Sequence, residues 1–346
     1  MDNQEISRRS FIGKTAMTAG LTALGVDSML GKASGINNNQ QDRLPREVWI
    51  ATVSQQALNA DTPERMVQTI LGIIDTSLVY RPDIICLPEI FMTCNVRQTK
   101  SLQEETERSA ELLKGFMAFA EANRCYVICP VYASEKGRIY NSAVVIDRQG
   151  NRVGEYKKIH LPESEIALGI TPGPLQPPVF KTDFGTIGIQ ICFDNIWDDG
   201  WKALQQQGAE IVFWPSAYAG GQSINTKAWQ NRYVVVSSTN KGTAKICDIS
   251  GDVVAKTGFW DNNLICAMVN LEKEFLFTWP NVRRFDDIRA KYGRKINITT
   301  YHEEEWTIIE SLSPDVRVKD VLTEFKIRSA TQMIHEGELA NNRLRL

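Results

Sequence analysis

Short runs with apolar centres, leaving no face for water, constrain this chain most. Residues 83–88 (Asp83-Ile84-Ile85-Cys86-Leu87-Pro88), 186–192 and 209–215 are each too short to be helices of their own. They read as strands covered on both faces. Longer segments carry helical periodicity instead. Thr62-Pro63-Glu64 opens one, with Thr62 as N-cap and Pro63 in the first turn, and Met66, Val67, Ile70, Leu71, Ile73, Ile74 and Leu78 share a face. Residues 104–123 and 195–207 predict two further helices. Residues 48–55, 125–132, 139–147, 152–160, 179–182, 243–256 and 264–271 add strands and hairpins, several joined by tight turns such as Arg148-Gln149-Gly150-Asn151. Buried strands alternating with helices, with hairpins among them, imply an α/β domain whose sheets are mixed.

That domain runs from 46 to 272 without a linker or internal repeat. Residues 273–346 are richer in charge and short on strand signal, and read as a C-terminal extension packing on the domain or on a partner subunit. Apolar residues at 43% and charged residues at 23% exclude a disordered chain and a multi-span membrane protein. A formal net charge of −2 with no basic block argues against a nucleic-acid partner. Seven cysteines are too sparse for a disulfide scaffold, and the odd number leaves at least one thiol unpaired.

The first 35 residues form a separate object. Ser7-Arg8-Arg9-Ser10-Phe11-Ile12-Gly13-Lys14 precedes an uncharged stretch over 15–25, well short of the ~20 residues that span a bilayer. The twin arginine resembles the export signal of the pathway that moves folded proteins. It implies a cleaved segment over 1–35, a periplasmic location and no stable membrane anchor.

Three reactive residues end apolar strands. Glu89 follows Ile84 to Pro88, Lys158 follows Gly154-Glu155-Tyr156-Lys157, and Cys192 follows Ile187-Gly188-Ile189-Gln190-Ile191. Strand ends gathered at one sheet edge are where α/β proteins assemble sites. A carboxylate, an ammonium and a thiol together supply base, fixed charge and nucleophile. Each also has an ordinary reading as a solvated strand end or an inert core thiol, and composition and spacing alone leave the matter open.

Local sequence adds to this. Leu87-Pro88-Glu89, Tyr156-Lys157-Lys158-Ile159-His160-Leu161 and Gly188-Ile189-Gln190-Ile191-Cys192-Phe193-Asp194 resemble, in order and separation, the Glu, Lys and Cys blocks of the nitrilase superfamily, the carbon–nitrogen hydrolases. Asn141-Ser142-Ala143, Thr171-Pro172-Gly173, Trp214-Pro215-Ser216 and Ala228-Trp229-Gln230-Asn231 fit as secondary blocks. The resemblance implies an αββα sandwich that dimerises or assembles further. Its nucleophile would be Cys192, its general base Glu89 and its cation Lys158, with the backbone N–H of Phe193 beside the oxyanion. A second glutamate is expected at Glu165, or at Glu163 if the register slips. No metal or organic cofactor is implied. Asp194 and Asn195 are expected to cap the helix after Cys192, whose positive end and Lys158 would depress the thiol pKa.

Phe193-Asp194 after the nucleophile tilts the expected substrate toward a small-molecule amide or N-carbamoyl compound over a nitrile. Competing readings are a Cys-His amidase or protease with His160 as base, a metal or redox protein built on Cys125 and Cys129, and an inactive exported binding protein. Cys192 is expected to be recessed, because an exported reactive thiol is open to oxidation.

Overall fold

The computed structural model describes residues 44–345 apart from Thr99, Phe259 and Asp261. The expected export signal over 1–35 lies outside the described residues. Two six-stranded sheets face each other. The first contains β1 (Glu47–Val53), β2 (Ile84–Cys86), β3 (Tyr126–Glu135), β4 (Arg138–Ile146), β5 (Arg152–Lys157) and β12 (Leu264–Asn270), in the order β12-β1-β2-β3-β4-β5. The second contains β6 (Val179–Lys181), β7 (Thr186–Ile189), β8 (Ile211–Ser216), β9 (Val234–Thr239), β10 (Lys245–Cys247) and β11 (Val253–Lys256), in the order β11-β10-β9-β8-β7-β6. Each sheet has three parallel strands at its centre, β1-β2-β3 and β7-β8-β9, and antiparallel strands outside them. The sheets are mixed, as the hairpins required.

Alternation along the buried strands builds three layers of core. Ile84 and Cys86 of β2 face the second sheet, meeting a layer that includes Ile187, Ile189, Phe213 and Val236. Their neighbours Ile85 and Leu87 point the other way, into a layer with Met66, Ile70 and Ile74 of α1 (Pro63–Asp75) and Leu113 and Phe116 of α2 (Leu102–Asn123). On the far side Val212, Trp214 and Val235 pack with Trp201 and Leu204 of α4 (Asp199–Gln206) and Ile224 and Ala228 of α5 (Gln222–Asn231). A period of two thus sends successive apolar residues to opposite cores, which is why these runs show no polar face. Helix starts follow local chemistry. Thr62 Oγ1 accepts from Arg65 N at 3.3 Å, and Ser101 with Glu104 forms a reciprocal capping box.

The region after 272 corrects the sequence reading, which found little strand there. It holds a three-stranded antiparallel sheet in the order β13-β15-β14, made of β13 (Lys273–Phe277), β14 (Ile296–Tyr301) and β15 (Trp306–Ser311). This sheet packs with α6 (Thr278–Tyr292) and α7 (Val318–Glu324) around Leu276, Phe285, Ile288, Ile309 and Val321. Asn270 of β12 reaches across to β15, its Nδ2 donating to Ser311 O at 2.8 Å.

Candidate active site

The carboxyl ends of β2, β7, β8 and β9 meet, with the end of β5 beside them, at one edge of the sandwich. Hydroxyls and an amide stitch the sheets together there. Ser238 Oγ lies within hydrogen-bond distance of both Val53 O and Cys86 O, at 2.8 and 3.1 Å, and Asn240 Nδ2 donates to Glu89 O at 2.9 Å. Glu89 is therefore held through its backbone by the opposite sheet. The chain turns sharply just after it, with Ile90 at φ +38°, a left-handed conformation costly for a β-branched residue.

Lys158 lies at the centre of the site. Its Nζ donates to Glu89 Oε1 at 2.9 Å and to Glu165 Oε1 at 2.8 Å. Asn141 Nδ2, from β4, donates to the same two oxygens at 2.9 and 3.1 Å. Two donors and two acceptors close a buried ring in which Lys158 is 1% and Glu89 2% exposed. Of the two glutamates proposed from sequence, Glu165 on the short helix α3 (Glu163–Ala167) enters the ring and Glu163 is exposed. The Thr171-Pro172-Gly173 block has a local reason. Gly173 N donates to Lys158 O at 2.7 Å, and a Cβ at 173 would stand 2.3 Å from Lys157 O.

Burial and neighbouring charges perturb several protons here. Burial alone would lower the pKa of Lys158, but interaction with Glu89, the Cys192 sulfur and Glu165 outweighs it and holds the ammonium well above its ordinary value. Burial raises the pKa of Glu165, with Lys158 opposing and Glu89 adding to the rise. Tyr132, in the same field, is pushed up by burial and then by Glu165, Cys94 and Glu89.

Cys192 ends the strand segment as expected, but the turn that carries it differs from the expectation. Residues Cys192–Ile196 form a 3-10 turn, and regular helix begins only at Asp199. Cys192 itself takes φ +44°, a strained conformation that projects its side chain from a sharp corner. Asp194 and Asn195 are therefore not caps of α4. Asp194 turns inward, where its Oδ2 accepts from Ile191 N at 2.9 Å, and Asn195 Nδ2 donates to Ser223 Oγ at 2.7 Å. The depressed thiol pKa expected from a helix end is also corrected. Burial, and then Glu89, push Cys192 up to about 12, against Lys158, the Ala217 backbone and the Ser216 hydroxyl, which favour the thiolate. Its surroundings thus favour the protonated thiol, which is recessed at 9% exposure.

Phe193 follows in the first turn, where backbone N–H groups lack helical acceptors, and its ring meets Trp197 edge-on. His160, the base of the competing Cys-His reading, is engaged elsewhere. Its Nδ1 lies 3.2 Å from Asp194 Oδ1, its Nε2 3.6 Å from Asp199 Oδ2, and its ring stacks on Trp197. No hydrogen bond joins it to Cys192 among the described residues. Cys125 and Cys129 are buried core thiols, and all seven cysteines are free. Among the described residues no group of three His, Cys, Asp or Glu side chains is arranged to hold a metal ion.

Sequence reasoning missed three participants. Asn141 was visible only as part of a block, Ser216 likewise, and Asp194 passed for a cap. Ser216 ends the apolar strand β8, but Asn141 lies inside β4 and Asp194 inside the turn, so no single local signal marks the three.

Comparisons with known proteins bear on this geometry. The family model for carbon-nitrogen hydrolase matches residues 50–274. The chain is 28% identical to a deaminated glutathione amidase of Synechocystis sp. over 184 residues, 49% of this chain and 66% of that one. It is 28% identical to the β-ureidopropionase of Arabidopsis thaliana over 240 residues, 63% and 59% of the two chains. An N-carbamoylputrescine amidase of Arabidopsis thaliana is 36% identical over 96 residues, 26% and 32% of the two. Each of these matches spans less than two thirds of the relative's length. Among solved structures, an amidase from Nesterenkonia sp. superposes with a TM-score of 0.58 at 17% identity, covering 66% of this chain and 91% of that one. A carbon-nitrogen hydrolase from Helicobacter pylori G27 gives 0.59 at 17% identity, covering 72% and 94%. These two share the fold.

Proposed function

Because the chain belongs to the carbon–nitrogen hydrolase family, we propose that it hydrolyses the C–N bond of a small amide or N-carbamoyl compound through a thioester on Cys192. The single observation that carries this reading is Lys158 bridging Glu89 and Glu165 at 2.9 and 2.8 Å beside a thiol on strained backbone. Glu89 takes the thiol proton as Sγ attacks the carbonyl carbon, forming the C–S bond. A thiol this far above neutrality needs that base. The carbonyl becomes an oxyanion, held by Lys158 Nζ and the N–H of Phe193. Collapse breaks the C–N bond, and Glu89 returns the proton to the departing ammonia or amine. Water, deprotonated by Glu89, then attacks the thioester; the C–S bond breaks and the acid leaves as the thiol is restored. Glu165 and Asn141 hold Lys158 and Glu89 in place throughout.

The relatives whose names describe amidases and an N-carbamoyl amidase support amide or carbamoyl substrates, as does Phe193-Asp194 after the nucleophile. Ammonia release across small amides, N-carbamoyl amino acids and nitriles is the test. Turnover of amides or carbamoyl compounds is expected. Turnover of nitriles alone, or full activity in Cys192→Ala, would overturn the reading.

Two further proposals concern the whole protein. The twin-arginine motif supports export to the periplasm, tested by fractionating cells that express the chain with Arg8 and Arg9 intact or changed to Lys. No helix among the described residues is long and apolar enough to cross a membrane. Assembly as a homodimer or larger homo-oligomer is tested by light scattering.

A further inference from the structure

A second polar cluster lies next to the nucleophile turn, and the reaction outlined above does not use it. Its centre is the Asp194 carboxylate, fully buried. Oδ2 accepts from Tyr156 Oη at 2.6 Å and from Ile191 N at 2.9 Å. Oδ1 accepts from His160 N at 2.7 Å and faces His160 Nδ1 at 3.2 Å. Gln190 Nε2 closes the cluster on Tyr156 Oη at 3.2 Å, and Trp201 Nε1 donates to Asp194 O at 3.2 Å.

The partners fall into two groups. Tyr156 and His160 stand two residues either side of Lys158. Gln190, Ile191 and Asp194 stand within two residues of Cys192. Every bond from the Asp194 carboxylate to the first group therefore ties the segment carrying the ammonium to the segment carrying the thiol. A strained corner such as φ +44° at Cys192 persists only where its surroundings over-determine it. This carboxylate supplies much of that determination.

We propose that Asp194 and His160 form a clasp that positions Cys192 against Lys158, tight when His160 is protonated and looser when it is neutral. The proposal rests on the reading of Lys158 and Cys192 as the reacting groups. Both ring nitrogens of His160 face carboxylates, Asp194 from the nucleophile turn and Asp199 from α4, while Trp197 covers the ring face at 4.2 Å. Only the imidazolium donates to both carboxylates; a neutral ring turns a lone pair toward one of them. The hydrogen bond to Asp194 is the largest influence on this histidine, and with the charges of Asp194 and Asp199 it raises the pKa above the ordinary 6.5 despite burial. The sign follows. The clasp is complete at lower pH and loosens as pH rises through that raised value. Asp194 and His160 touch neither substrate nor reacting atoms, and are positioning residues.

The experiment uses the full-length protein and two readouts across pH 5 to 10. One is kcat and KM for the best substrate of the amide panel. The other is the rate at which iodoacetamide, a small probe, alkylates Cys192, followed by peptide mass. In wild type, both kcat and alkylation are expected to carry an inflection that His160→Asn removes, since Asn keeps a donor toward Asp194 but cannot titrate. Asp194→Asn is expected to lower kcat about 10²-fold with KM within about twofold. Should Asp194→Asn fail to fold, His160→Asn alone decides. Superimposable pH profiles in wild type and His160→Asn would overturn the clasp. An inflection in alkylation that disappears in His160→Asn, in a protein that turns over no amide, would sustain the clasp and sink the amide reading instead.

Discussion

Two clusters of charge lie at opposite ends of the sandwich, and only one of them lies beside a thiol. At the carboxyl ends of the parallel strands, Lys158, Glu89, Glu165 and Asn141 form a closed ring beside Cys192. At the amino ends, Arg46 before β1 pairs with Glu210 before β8, and Glu274, Arg232 and Lys273 gather where the C-terminal sheet joins the domain, around a cavity of about 540 Å³. Both ends perturb protons. Burial pushes Glu274 up to about 7, against the nearby charges of Arg46 and Arg232. Yet Arg46 and Glu210 are each about a third exposed, whereas Glu89 and Lys158 are sealed. Charge density and a shifted pKa therefore do not mark a reaction centre by themselves. What separates the two ends is a sealed ring beside the Cys192 thiol, because the amino end also has a left-handed residue, Arg232, and charges with two bonds each at Arg46 and Glu210.

The difference can be attacked from both sides. The largest effect is expected at the base. Glu89→Gln should cost about 10²–10⁴-fold in kcat, read by steady-state kinetics with circular dichroism to verify folding. Lys158→Met should follow, losing about 10²–10³-fold as an oxyanion donor disappears. Its counterpart at the other end, Arg46→Met, should leave kcat within about twofold and lower stability by no more than about 1 kcal/mol, because the pair it breaks is partly solvated. Equal losses of kcat in those two variants would erase the distinction. Glu165→Gln keeps the shape of the ring and weakens a charged hydrogen bond, an expected loss of about tenfold.

The smallest effect is a pH dependence at the seam. The pKa of Glu274 is raised on folding, so the stability it contributes is present below the ordinary carboxylate range and is lost as pH rises toward 7. Glu274→Gln should therefore leave stability nearly unchanged below about pH 4 and raise it by about 1 kcal/mol or more near pH 8, the attraction to Arg46 and Arg232 being already contained in the raised value. Thermal melts at the two pH values measure it.

How much of this was legible depended on what each residue's neighbours reveal. The strands at the centre of both sheets were visible because two apolar faces leave a continuous run in the sequence, as in Ile84 to Leu87. The extension hid its strands. β14 reads Ile296-Asn297-Ile298-Thr299-Thr300-Tyr301, half exposed, and the buried Thr307 of β15 is satisfied by hydroxyl contacts with Thr278 and Thr300 that no local pattern announces. Glu89, Lys158 and Cys192 stood out as reactive types at strand ends, whereas Glu165 on α3 was reached only through the family resemblance, with Glu163 as its alternative. Asp194 did not stand out, because an acidic residue ahead of a helical stretch carries the same signal whether it caps that helix or turns inward. Nor does any sequence rule foretell a positive φ at a cysteine, which tertiary context alone enforces.

The central claim is covalent, and rapid quenching of the enzyme with its best amide, followed by mass spectrometry of the peptide carrying Cys192, tests it most directly. The account predicts an acyl adduct on Cys192, with the mass of the substrate less its amine, that builds up before steady state and is absent in Cys192→Ala. Hydrolysis proceeding at full rate with Cys192 unmodified, or with the adduct on another residue, would contradict it.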